Sequence, residues 1–253
     1  VRHAFPVALA SVVVLAGCAA SAPVGVGDEL SGTVTVLAAA SLRDVFDDLA
    51  DRFRSDHPDV EIVLGYGGSS GLAEQIISGA PADVFAAANP ATMSTVSDAG
   101  LAVEPVVFAT NTLQIAVPRG NPGNVAGIAD LARPELAIAL CDPTVPCGAA
   151  AVEVLDRAGV TASVDTLEED VRAALTKAAL GEVDAALVYR TDVIAAGGEV
   201  EAVEVPEASE VVNVYAISPL TEARNPEAAR AFLDLVLSAT GRTVLERAGF
   251  GAP

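Results

Sequence analysis

The chain has 253 residues, 52% of them hydrophobic but only 4% aromatic, and its 34 acidic against 14 basic residues give a formal charge of -20 at pH 7. That balance argues against nucleic acid as a partner, since phosphate backbones are held by clustered Lys and Arg. It does not exclude a local anion site built from short-range donors, because bulk charge is screened beyond about 8 Å at physiological ionic strength. The acidity reads as a solvated surface, and the core must come chiefly from Ala, Val, Leu and Ile.

At the N-terminus, Arg2 and His3 precede an almost unbroken apolar run over residues 5–16. A run of about a dozen residues has the length of a signal-peptide core and is too short to span a bilayer. It ends in Leu15-Ala16-Gly17-Cys18, which resembles the lipobox of bacterial lipoprotein precursors. That resemblance implies a signal peptide over 1–18 and lipidation of Cys18. The remainder is then exported and anchored to the outer face of the cytoplasmic membrane. Residues 19–32, rich in Ala, Ser, Pro and Gly with no apolar periodicity, read as a flexible tether with an r.m.s. span of roughly 20 Å.

From residue 33 onward, strand and helix patterns alternate. Residues 33–38 read as a buried strand, after which Leu42, Val45, Phe46, Leu49 and Phe53 fall on one helical face. A strand over 60–64, a helix over 72–77 and a short strand over 83–87 continue the rhythm. A second set follows: a strand over 113–117, a Gly/Pro/Asn loop at 119–123, a strand over 136–140, a helix holding Val152 and Leu155, a helix over 171–180 and a strand over 185–188. Residues 211–217 read as a strand returning to the first set, and 226–238 as a last amphipathic helix stopped before Gly241. Such alternation predicts an α/β fold of two lobes, each a mostly parallel sheet flanked by helices, with a cleft between them. We place lobe 1 at 33–111 and 216–253 and lobe 2 at 112–215; no internal repeat is visible.

Candidate chemistry clusters at strand-to-helix turns. Ser41, in Ala38-Ala39-Ala40-Ser41-Leu42, stands at a predicted helix N-cap with Asp44 at the capping-box offset. Gly67-Gly68-Ser69-Ser70-Gly71 repeats the arrangement after the second strand, and Cys147-Gly148 and Asp170-Val171 open two later helices. Helix N-termini carry free N–H groups and partial positive charge, so these turns can hold an anion without a cationic side chain. The Gly-Gly-Ser-Ser-Gly run also satisfies the nucleophile-elbow pattern of serine hydrolases around Ser69. The required histidine should follow the serine in the chain, whereas His57 precedes it, and Lys177 reads as an exposed helical residue. Cys141 and Cys147 enclose a short loop with two prolines and suit a disulfide in an oxidising compartment. His57 is remote from both, and no cationic metal site is expected.

Val36-Leu37-Ala38-Ala39-Ala40-Ser41-Leu42, Gly68-Ser69-Ser70-Gly71-Leu72-Ala73, Gly79-Ala80-Pro81-Ala82-Asp83-Val84-Phe85, Glu169-Asp170-Val171-Arg172 and Val188-Tyr189-Arg190-Thr191-Asp192 resemble, in order, the motifs of the molybdate-binding proteins of ABC transporters. The resemblance runs from about residue 33 to 250. It implies a type II periplasmic-binding-protein fold, no enzymatic activity, no cofactor, and molybdate or tungstate as ligand. The protein would be a monomer that passes its ligand to a membrane permease. By motif, Ser41 and Ser69 would contact the oxyanion from lobe 1. The backbone N–H groups of Cys147 and Val171 and the phenol of Tyr189 would contact it from lobe 2. Cys147 departs from the small alanine expected at that place, a change that a backbone donor tolerates. Sulfate or another tetrahedral oxyanion as ligand, a sensory lipoprotein on the same fold, and a hydrolase using Ser69 are the competing readings.

Overall fold

The computed structural model describes residues 1–3 and 30–253. The signal segment, Cys18 and the tether as far as residue 29 lie outside the described residues. From Leu30 the chain is fastened to the fold: Leu30 packs on the first core and the Asn225 side-chain amide donates to the Ser31 carbonyl at 2.7 Å.

The first run of elements is β1 (Gly32–Ala39), a 3-10 turn (Ala40–Leu42), α1 (Arg43–Asp56), β2 (Val60–Gly67), α2 (Ser69–Ile77), β3 (Val84–Ala87), α3 (Pro90–Asp98) and β4 (Val106–Asn111). A second run follows with β5 (Leu113–Pro118), β6 (Ile138–Cys141), α4 (Pro146–Ala158), β7 (Thr166–Glu168), α5 (Val171–Ala179), β8 (Ala185–Tyr189), α6 (Arg190–Ala195) and β9 (Val200–Val203). The chain closes with β10 (Asn213–Pro219), α7 (Pro226–Leu237) and α8 (Ala239–Arg247).

Two five-stranded sheets result, ordered β2-β1-β3-β10-β4 and β7-β6-β8-β5-β9. The two orders are the same pattern written twice, a structural repetition with no visible counterpart in the residues. In each sheet three strands pair in parallel, and a strand from outside the consecutive run, β10 or β5, is inserted antiparallel before the last one. The sheets are therefore mixed rather than mostly parallel. The reason is topological: β3 and β4 run the same way with α3 between them, which leaves a slot that β10 fills on its return. Only Thr112 separates β4 from β5, so the crossing between sheets is a single residue long there.

Each sheet is covered on both faces. Aliphatic side chains and Tyr189 fill the second lobe, whereas the few aromatic residues concentrate on one face of the first. There Phe46, Phe53 and Phe108 from the early elements meet Phe232, Tyr215 and Phe250 from the end of the chain, with ring centroids 5.4 to 6.3 Å apart. Edge-to-face aromatic pairs of this kind add about 0.5–1.5 kcal/mol beyond their buried area. They fix the returning C-terminal segment to the first sheet.

The last helical segment differs from expectation. Ser238 ends α7 and caps α8, its hydroxyl accepting the Gly241 N–H at 3.1 Å. Gly241 thus lies inside a helix instead of ending one. A Cβ there would stand 2.1 Å from the Val236 carbonyl oxygen, so glycine permits the close turn between the two helices.

One buried carboxylate ties the ends of the first lobe together. Asp83, 3% exposed, accepts the N–H of Thr35 at 2.7 Å, of Arg224 at 2.6 Å and of Asn225 at 3.0 Å. Removing the acceptor shared by three partly buried donors is costly, so Asp83→Ala should lower folding stability by about 3 kcal/mol, measured by denaturant unfolding.

Candidate functional site

Ser41 follows β1, Gly68 and Ser69 follow β2, and Ala88 follows β3. In the second lobe Cys147 follows β6, Asp170 and Val171 follow β7, and Tyr189 ends β8. All of them line one small cavity between the lobes. Open α/β sheets present ligand sites at the carboxyl ends of their strands, and here two such ends face each other. The matched strand orders pair Ser41 with Cys147, Ser69 with Val171 and Ala88 with Tyr189. At about 10 Å³ the cavity is far below the ~300–1,000 Å³ of pockets for drug-sized organic ligands, so as it stands it has no room for one of them.

Local sequence explains the donors. The first N–H groups of a helix have no partner within it. The N-cap residues of α2 and α4, Gly68 and Val145, give no side-chain cap, which leaves the Ser69 and Cys147 N–H groups to the cavity. At α5 the Asp170 carboxylate accepts the N–H of Arg172 and Ala173, so its charge is matched by its own helix while the Val171 N–H stays free. Gly148 makes the α4 start fit: a Cβ there would lie 1.9 Å from the Asp142 carbonyl oxygen. The Sγ atoms of Cys141 and Cys147 are bonded, with Cα atoms 5.8 Å apart, which braces the loop entering α4.

The serines behave differently from the capping role read in the sequence. Ser41 lies inside the 3-10 turn, the N-cap of α1 is Leu42 with no side-chain cap, and Asp44 forms no capping box. Ser41 Oγ instead pairs with the Tyr215 hydroxyl at 2.8 Å, and Ser69 Oγ accepts the Ala88 N–H at 3.0 Å. Both are buried, at 4% and 1% exposure. Tyr189 is buried too, and its hydroxyl has no hydrogen-bond partner within 3.5 Å among the described residues. Burial pushes that phenol well above its ordinary range, with the Tyr215 hydroxyl and the Asp192 carboxylate acting in the same direction, so it keeps its proton as a donor.

The two candidate bases for Ser69, His57 and Lys177, do not line its cavity. His57 caps the far end of α1, stacked on Phe53 at 4.6 Å between centroids, about 20 Å along the helix from Ser41. Lys177 pairs with Glu168 at 2.7 Å. Among the described residues no group of three or more His, Cys, Asp or Glu side chains could hold a metal ion, and no helix is long and apolar enough to cross a membrane.

Contacts across the cleft were not legible in the sequence. Arg172 on α5 pairs with Asp192 at 3.1 Å and, across to α1, with Asp44. Burial lifts the Asp192 carboxyl to about 7 against the pull of the Arg172 guanidinium. Ser70 Oγ donates to the Thr144 carbonyl at 2.6 Å, again across the cleft. Gly68 makes the closest approach, because a Cβ on it would lie 2.3 Å from the Glu169 carbonyl oxygen. Gly68→Ala should therefore hold the lobes apart with little loss of stability. Small-angle scattering of the variant with anion present should show a larger radius of gyration than the parent.

The residues 34–251 match the family described as bacterial extracellular solute-binding proteins. The molybdate-binding protein ModA of Mycobacterium tuberculosis is 41% identical over 235 residues, covering 92% of this chain and 90% of that protein. A putative ABC transporter substrate-binding lipoprotein of Bacillus subtilis is 30% identical over 255 residues, covering 98% of this chain and 97% of its own length. Among solved structures, the periplasmic molybdate-binding protein of Azotobacter vinelandii shares the fold with a TM-score of 0.76 at 22% identity, covering 87% of this chain and 99% of that one. With its two matched sheets and the cleft between them, the chain belongs to the bacterial extracellular solute-binding protein family.

Proposed function

We propose that this protein captures molybdate, with tungstate as an alternative ligand, and delivers it to the permease of an ABC transporter. The observation that carries the reading is the single small cavity into which Ser41, Ser69, Cys147, Val171 and Tyr189 converge from both lobes. Each offers a neutral N–H or O–H group. Such a set suits a fully deprotonated dianion, because a carboxylate aimed into the cavity would repel it and would need a ligand proton to share. The molybdate-binding names of relatives 41% and 31% identical support the same ligand. Binding requires the lobes to close, with donors preorganised on backbone rather than on long side chains, so little entropy is lost in ordering them. No step of this function breaks a covalent bond, and the protein acts as a monomeric carrier rather than an enzyme.

Calorimetric titration of the soluble domain with molybdate, tungstate, sulfate and phosphate tests the ligand. Tight binding of molybdate and tungstate over sulfate is expected, and sulfate as the preferred ligand would overturn the assignment. A hydrogen bond to a charged group contributes about 1.5–3 kcal/mol, so Ser41→Ala or Ser69→Ala should weaken molybdate binding by about 10- to 150-fold. Ser78→Ala, at an exposed helix end, serves as the control. Ser70→Ala does not, given its bond across the cleft.

The Leu15-Ala16-Gly17-Cys18 sequence further supports attachment to the outer face of the cytoplasmic membrane through a lipid on Cys18. Intact mass of the membrane-extracted protein should show an N-terminal cysteine carrying a diacylglyceryl group. Cys18→Ser should leave the precursor uncleaved.

A further inference from the structure

Behind the cavity wall lies a buried polar group of side chains that do not line the cavity. Tyr215 on β10 is fully buried, and Asn111, at the last position of β4, and Thr191 on α6 are 4% and 3% exposed. The Tyr215 hydroxyl lies 2.8 Å from Ser41 Oγ and 3.4 Å from Asn111 Nδ2, with the Tyr189 hydroxyl also acting on it. The Asn111 amide orientation is fixed, because its Oδ1 accepts the Thr112 N–H at 3.0 Å. Its Nδ2 therefore faces Tyr215 and the Thr191 hydroxyl, the latter at 2.8 Å. An amide nitrogen donates and does not accept. Ser41 Oγ, at 2.8 Å, is the nearest group able to take the phenolic proton, and burial keeps that proton in place by pushing the Tyr215 phenol above its ordinary range.

We propose that Tyr215, oriented by Asn111, is a positioning residue that occupies a lone pair of Ser41 and so directs the Ser41 O–H at the bound anion. The inference rests on the oxyanion reading of the cleft and adds to it two residues outside the cavity lining. It also gives the inner serines a common logic. Ser69 Oγ already accepts the Ala88 N–H, so each hydroxyl takes one internal hydrogen bond and keeps its own proton for the ligand. The relay spans the hinge: Asn111 immediately precedes the crossing into β5, Tyr215 belongs to the first sheet and Thr191 to the second lobe.

A double-mutant cycle read by molybdate calorimetry separates positioning from a general structural effect. Tyr215→Phe should weaken molybdate binding about 10-fold in the parent and less than about twofold in a Ser41→Ala background, where there is no proton left to direct. Asn111→Ala provides a second arm should Tyr215→Phe fail to fold, with a smaller loss that also vanishes in the Ser41→Ala background. Thermal melting of the ligand-free variants is recorded in parallel, so that a loss of stability is read separately from a loss of affinity. Equal penalties with and without Ser41, or an unchanged affinity for Tyr215→Phe, would overturn the positioning role. If the parent protein itself binds none of molybdate, tungstate, sulfate or phosphate, the failure lies with the oxyanion reading and not with the relay alone.

Discussion

Unmatched backbone N–H groups at helix N-termini are the constraint on which the rest of this protein depends. A helix leaves its first donors without partners, and burying them without an acceptor costs on the order of 1–3 kcal/mol each. The fold aims several such ends at one small cavity and leaves α2 and α4 without side-chain caps. Where a cap is present, at α5, it satisfies Arg172 and Ala173 and spares Val171. An anion in the cavity would match these donors from both lobes at once, which makes binding and closure the same event. This explains how a chain of formal charge -20 can hold a dianion: the donors act at contact distance, inside the range over which bulk charge is screened.

Closure also explains features that a single lobe would not need. Gly68 has no Cβ because the Glu169 carbonyl occupies that space, and Arg172 sits between Asp192 on its own lobe and Asp44 on the other. The Arg172–Asp44 pair lies at a partly exposed rim, where a salt bridge contributes little, about 0–1 kcal/mol. It can bias the balance between open and closed states without locking the cleft, as a protein that must release its ligand requires. The aromatic cluster of the first lobe works on a different scale, joining α1 and β4 to the C-terminal elements so that β10 returns to a fixed slot.

Much of the site was legible in the residues because its parts are local. A strand, a run of small residues and a helix start appear as contiguous patterns at Ala38-Ala39-Ala40-Ser41 and Gly67-Gly68-Ser69, and the five motifs occur in the order of a known family. The five residues named from them line the cavity together. The local capping pattern at Ser41 is not realised: a serine at a helix start reads as a cap, and here its hydroxyl pairs with one 174 positions away. Short elements such as α6 and β7 escaped because a few residues show no clear periodicity. α8 escaped because Gly241 reads as a terminator until its contact with the Val236 carbonyl is known.

The sequence by itself determined the alternation of strand and helix, the small-residue turns that bare their donors, the apolar segment ending in Cys18 and the composition that sets aside nucleic acid. Each of these is carried by residues close together in the chain. The tertiary structure alone decided that both sheets are mixed, that Asp83 gathers three distant N–H groups, that Arg172 reaches Asp44 and that Asn111, Tyr215 and Ser41 form one hydrogen-bonded line. Those outcomes depend on which strand enters which slot and on how two lobes meet. Pairings of that kind join residues tens to more than a hundred positions apart, and no local pattern encodes them.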